Sequence, residues 1–218
     1  MELEELYTHY PVLYHMAWNK SWPTIKKHGL LSTNSLLELY EIDDSTKSIV
    51  ATQHRPECVT IQSKHLPDAV IRDQIPMTDK GVIRALNGTM MPSEWYYLLN
   101  SMVFFWPTKS RLKTMISAKA YRDLNHDVLI VRTEPLVKEY VKRLRISPIN
   151  SGCTKPFAHP RSKNLFKDIT SYPFSERKSK YGTEKAIAEV CFLDAIPNIE
   201  NFVEDVLVLN ADNLDANI

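Results

Sequence analysis

Two residues in this chain are polar groups whose surroundings demand a chemical reason. Glu189 lies in AIAEVCFLDAIP, a single carboxylate in the middle of a run that reads as a strand with apolar neighbours. Such a group either points to water from an edge strand or is kept for its charge. Held beside a sugar, it can stabilise positive charge growing on the anomeric carbon and take a proton from an attacking group. His15 ends the extended run Leu13-Tyr14 where small and polar residues begin, and a lone histidine there is ordinarily a satisfied core residue. A third candidate follows the aromatic run in VFFWPTKSRL, where Lys109 and Arg111 compete. Arg111 is favoured, because a guanidinium grips a diphosphate or a target in a fixed two-pronged geometry.

The elements that must position these groups are legible in part. Leu13 and Tyr14 are strand formers. After them Ser21 reads as an N-cap, Pro23 falls in the first helical turn, and Gly29 stops the helix after Lys27 and His28. Trp22 and Ile25 share a face and turn this helix back onto the strand carrying His15. Ser32 caps a helix through Leu36, Leu37 and Tyr40, the polar EIDDSTKS reads as a loop, and Glu57 to Gln62 as a strand. Residues 75–91 read as short helices and loop. Ser93 caps a helix over EWYYLLNSM, and VFFWP is a strand that needs covering on both faces. A helix over Lys109 to Arg122, a strand over Asp127 to Arg132 and a helix capped by Thr133 follow. Ile149 to Gly152 is turn chemistry and opens a long polar region. From Lys155 to Lys185 it carries eight Lys or Arg against three acids, so it reads either as a solvated loop or as a phosphate-facing surface. Ala186 to Asp194 and Val206 to Leu209 complete the strands.

Length and composition set the class. The 218 residues, 44% of them apolar, suit one domain over 1–218. A formal net charge of +1 argues against holding nucleic acid by bulk electrostatics, although a local patch can still do so. Cys58, Cys153 and Cys191 show no close pairing, so neither a disulfide framework nor a metal site is expected. A reducing, cytoplasmic setting fits, with no membrane-length apolar run and no signal peptide in MELEELY. There is no regular βαβ alternation and no Gly-rich fingerprint, which leaves an α+β domain of small, mostly antiparallel sheets.

The Tyr14-His15 pair at the end of an opening strand, the short helix closing in His28-Gly29-Leu30-Leu31, the aromatic-basic VFFWPTKSRL and a glutamate ahead of an Ile196-Pro197 corner occur in an order that resembles the DarT-like branch of the ADP-ribosyltransferase superfamily. RNA 2′-phosphotransferases of the same fold also open with a histidine and a helix ending in Gly-Leu. The resemblance runs from Tyr10 to Asn201. It implies two small sheets forming a cleft for NAD, used as a substrate without a metal. It implies a catalytic role for Glu189 and Arg111, and dinucleotide binding by Tyr14, His15, Met16 and Ser21: His15 on the adenosine ribose, the backbone after it on the nicotinamide amide. Ala17 stands where many relatives have threonine, and an asparagine that some have before the helix is matched only by Ser21 or Asn19. The basic segment before Glu189 is where such enzymes recognise acceptors. With Tyr172, Phe174 and Tyr181 among its charges, Arg177, Lys178 and Lys180 are expected to hold a DNA or RNA acceptor, with a protein side chain second. A toxin role and an antitoxin partner are compatible with this branch. The competing classes are a non-catalytic nucleotide- or partner-binding module and the RNA 2′-phosphotransferase reaction. The latter relies on several arginines, and Glu189 weighs against it.

Overall fold

The computed structural model describes residues 1–217. The first half of the chain forms α1 (Leu3–His9), β1 (Val12–Trp18), α2 (Trp22–His28), β2 (Leu30–Leu31), α3 (Thr33–Leu39), α4 (Asp44–Thr52), β3 (Val59–Ile61), β4 (Ala69–Ile71), α5 (Asp79–Leu86) and α6 (Pro92–Asn100). Then come β5 (Met102–Phe105), α7 (Lys109–Ile116), β6 (His126–Arg132), α8 (Thr133–Tyr140), β7 (Leu144–Ser147), α9 (Phe174–Tyr181), α10 (Thr183–Ala186), β8 (Glu189–Leu193), β9 (Ala195–Ile196), β10 (Val203–Leu209) and α11 (Leu214–Asn217). The fold is mixed α+β, with small antiparallel sheets and helices.

Two three-stranded sheets, β1-β6-β10 and β5-β8-β7, carry the architecture, and β2-β9 and β3-β4 are two-stranded additions. The strand pairings in all four are antiparallel. The large sheets meet at one bridge, where Tyr14 and Trp106 exchange backbone hydrogen bonds of 2.9 and 2.8 Å. Strand alternation explains why they pack. Val103 and Phe105 point into a core shared with Leu13, Leu129, Ile146, Val190 and Phe192, whereas Met102 and Phe104 point to the opposite face, onto Trp95, Leu99 and Phe166 of a second cluster. VFFWP is thus covered on both sides, as its composition requires. A third cluster joins α3, α4 and the β3-β4 hairpin through Leu37, Tyr40, Val50, Ile61 and Ile71.

Several sequence expectations need correction. EIDDSTKS is not a loop: Asp43 accepts the Thr46 amide at 3.0 Å and starts α4, which buries Val50 and Ala51. Met91, not Ser93, occupies the cap of α6, with Pro92 at its first turn. The helix after Trp106 ends at Ile116 rather than Arg122. The strands β4 and β7 have no counterpart in the sequence pattern, and Ala186 closes α10, so β8 begins at Glu189. The segment Lys155 to Lys185 is not all loop, because α9 and α10 occupy its second half. Ser21 sits at the start of α2 in a helical conformation and makes no side-chain cap. Its Oγ instead donates to the Trp18 carbonyl at 2.5 Å.

Gly29 is fixed by both backbone and space. It ends α2 at φ 89°, and a Cβ there would lie 2.6 Å from the Pro197 Cα. It therefore lets the end of α2 lie against the Ile196-Pro197 corner next to the β2-β9 pair. Gly29→Ala should lower the unfolding free energy by about 2 kcal/mol or more in urea titration. Gly88, at φ 76° with nothing within 4 Å of its would-be Cβ, is the control and should lose less. Equal losses would mean that the Pro197 contact is irrelevant.

Candidate active site

The site is built where the two sheets part. Beyond the Tyr14–Trp106 bridge the pairing of β1 with β5 stops, and the His15 side chain crosses the gap instead: its Nδ1 lies 2.9 Å from the Phe104 carbonyl. A carbonyl can only accept, so Nδ1 carries the proton and Nε2 is left as an acceptor. Burial pushes the His15 pKa down to about 4; the Phe104 bond opposes this and the Arg72 charge adds to it, so the ring is neutral at pH 7.

Glu189 opens β8, and continuing the register of Phe105 with Val190 brings it level with Trp106. Its side chain is only 3% exposed. Both carboxylate oxygens lie 3.1 Å from the Ser151 amide, which donates to them from the turn after β7. Burial pushes the Glu189 pKa up to about 7, against the pull of the Ser151 bonds and of the Arg111 and Arg161 charges. The group therefore exchanges a proton near neutrality, which is the range useful to a general base.

His15 and Glu189 line one cavity of about 450 Å³. Met16 and Ser21 line it too; Tyr14 does not, being 6% exposed and packed with Leu112, Ile116 and Val128. The β1-α2 crossing at its rim is held from a distance. Asp127 of β6, 4% exposed, accepts the Lys20 amide at 3.0 Å and the Trp22 amide at 2.9 Å, so it does the capping expected of Ser21 and fixes Lys20 at φ 67°.

Sequence reasoning missed the arginines of this cavity wall. Arg72, just after β4, lies over the Tyr121 ring at 5.0 Å and donates from Nη1 to His126 Nδ1 at 3.0 Å. His126 Nε2 donates to the Tyr121 carbonyl at 3.1 Å, so that ring is neutral and its tautomer is set. Arg72 Nη2 has no partner among the described residues. Arg55 also reaches the cavity wall, but its guanidinium is engaged by Arg72 and Val50 carbonyls and Asn100. Neither arginine carried a signal beyond its charge, in a connector and at the end of a short strand.

The other expected residues lie elsewhere. Arg111, in the first turn of α7, is not in the cavity wall; it is half-buried, its Nε has no partner among the described residues, and it acts on Glu189 through its charge. Lys109 is exposed. Arg177 donates from Nε to the Ala186 carbonyl and from Nη2 to the Pro148 carbonyl, both at 2.8 Å, so it braces the approach to β8. Lys178 lies 3.0 Å from His9, and Lys180 stands over Tyr181. Tyr172 and Phe174 are buried, which leaves Tyr181 as the exposed aromatic of the three. Among the described residues, no helix is long and apolar enough to cross a membrane, and no group of three or more His, Cys, Asp or Glu could hold a metal ion.

The fold and site thus define an α+β protein with a carboxylate and a neutral imidazole in one inter-sheet cleft. A family model described as a family of unknown function, DUF7002, matches residues 11–203, and the chain belongs to that family. No curated protein and no solved structure matches it.

The two shifted groups have opposite linkage. Glu189 has a folded pKa above its ordinary value of 4.5, so its contribution is full below pH 4.5 and is lost as pH rises through about 7. His15 has a folded pKa below 6.5, so its contribution is present above pH 6.5 and is lost as pH falls through about 4. Glu189→Gln removes only the first. Its stability relative to wild type, measured by urea titration, should therefore rise between pH 4.5 and 7.5. A difference that does not change with pH would mean that Glu189 titrates like an exposed carboxylate.

Proposed function

We propose that the protein is an NAD-dependent ADP-ribosyltransferase of the DarT-like kind, with the inter-sheet cleft as the dinucleotide site. The observation that carries the reading is that His15 of one sheet and Glu189 of the other, far apart in sequence, line a single cavity of about 450 Å³, of a size suited to a small-molecule ligand. An unprotonated Nε2 on His15 suits a ribose hydroxyl as donor, the backbone at Met16 suits an amide, and Arg72 is the cation that suits a diphosphate.

In the reaction the bond between the ribose C1′ and the nicotinamide nitrogen breaks, and its electron pair leaves with nicotinamide. Positive charge grows at C1′, where the Glu189 carboxylate stabilises it. The acceptor's lone pair closes on C1′ as its proton passes to Glu189. A proton affinity near neutrality fits that role.

A macromolecular acceptor is proposed, with nucleic acid first and a protein side chain second. The support is local: Lys180 of α9 stands over the exposed ring of Tyr181, and Lys178, over Phe174, lies on the same helix. A second reading, a nucleotide-binding module without catalysis, is favoured by the burial of Glu189 against the Ser151 amide.

Labelled NAD incubated with DNA, RNA and lysate separates these readings. Transfer of label to a macromolecule supports the enzyme, whereas NAD binding without turnover supports the module. Glu189→Gln should keep NAD binding and lower transfer at least about a hundredfold, the scale of one lost transition-state electrostatic group. His15→Ala should chiefly weaken NAD binding. Unchanged turnover in Glu189→Gln would defeat the assignment. Replacing Lys178 and Lys180 by Gln should lower the salt slope of nucleic-acid binding by about one to two and leave NAD affinity alone. An unaltered slope would favour a protein acceptor.

A further inference from the structure

Arg161, like Arg111, is a basic group whose charge reaches Glu189. It comes from a segment without helix or strand, yet its side chain is 3% exposed. Its backbone is tied to α5: the amide donates to the Ala85 carbonyl at 2.8 Å, and its carbonyl accepts from Thr89 Oγ1 at 3.2 Å. The guanidinium lies 5.9 Å from the buried ring of Trp95. From there it donates to four backbone carbonyls: Nε to Ser151 at 3.3 Å, Nη1 to His159 at 2.7 Å, and Nη2 to Asn150 at 3.3 Å and to Cys153.

Three of those carbonyls belong to the turn that forms the cavity wall beside Glu189. The Asn150 carbonyl matters most. It belongs to the same peptide group as the Ser151 amide, which donates to both Glu189 oxygens. A cation bonded to the oxygen end of a peptide withdraws electron density and makes its N–H a stronger donor. The line therefore runs from guanidinium to peptide to carboxylate.

We propose that Arg161 is a positioning residue for Glu189, acting across the Asn150–Ser151 peptide to fix the carboxylate at the cavity wall and keep it available in its charged form. The inference rests on the reading of Glu189 as the catalytic group, but the tethering itself does not require turnover. The other groups facing Glu189 are the Ser151 amide, Arg111 of α7 and, two residues along β8, the buried thiol of Cys191; His15 stands across the cavity.

The test is a titration of Glu189 by its side-chain carboxyl carbon signal in isotope-labelled protein, assigned by its loss in Glu189→Gln. In Arg161→Met the midpoint should move up by more than the error of the titration, because the charge and the polarised Ser151 amide that favour the carboxylate are both weakened. In Arg161→Lys, which keeps a charge but cannot span the four carbonyls, it should move up by less. A folded Arg161→Met with the wild-type midpoint overturns the proposal, because a purely structural arginine would lower the melting temperature and leave the titration in place. If Arg161→Met does not fold, an unmoved midpoint in Arg161→Lys overturns it equally. Transfer against pH in the same variants should shift in parallel. Absence of transfer in the wild type would remove the enzyme reading, while the carboxyl titration would still decide the role of Arg161.

Discussion

Tyr14 and Trp106 exchange two backbone hydrogen bonds, and both large sheets are oriented by that single pair. Continued pairing would have made one sheet of β1 and β5 and closed the space between them. Because it stops after one bridge, the strands part, and the first residue beyond it on β1 is His15, whose ring takes up the Phe104 carbonyl that a ladder would have used. Glu189 lies level with Trp106 on the neighbouring strand. Both chemically distinctive groups are thus set by their distance from one bridge.

The surroundings then determine their charge states. A histidine bonded through Nδ1 to a carbonyl and removed from water stays neutral; a carboxylate removed from water resists ionisation unless donors and cations compensate. Here the Ser151 amide, Arg111 and Arg161 compensate only in part, which leaves Glu189 close to balance at neutral pH. The cleft is held open by remote groups as well. Asp127 anchors the β1-α2 crossing on one side, and Arg161 anchors the turn after β7 on the other.

The sequence is informative where a pattern has one dominant physical cause. Val103 to Phe105 alternates between two cores, Ser32 caps α3 by accepting the Ser35 amide, and an isolated glutamate among apolar residues is conspicuous from its neighbours alone. It is uninformative where a polar residue has a partner far along the chain. Asp43 and Asp44 resemble any loop unless the helix behind them is known to pack. Arg161 and Arg177 read as two charges in a basic run, yet both bind backbone carbonyls. Asp127 looks like the polar start of a strand, since its two amide partners lie about a hundred residues earlier. Short strands such as β4 and β7 are stabilised by neighbours rather than by composition.

That the parting of the two sheets is a dinucleotide site is tested most directly by a crystal structure of the Glu189→Gln protein grown with NAD. The expected result is the nicotinamide ribose beside residue 189 and the adenosine ribose donating a hydroxyl to His15 Nε2. A dinucleotide bound elsewhere, or an empty cleft at saturating NAD, would contradict it.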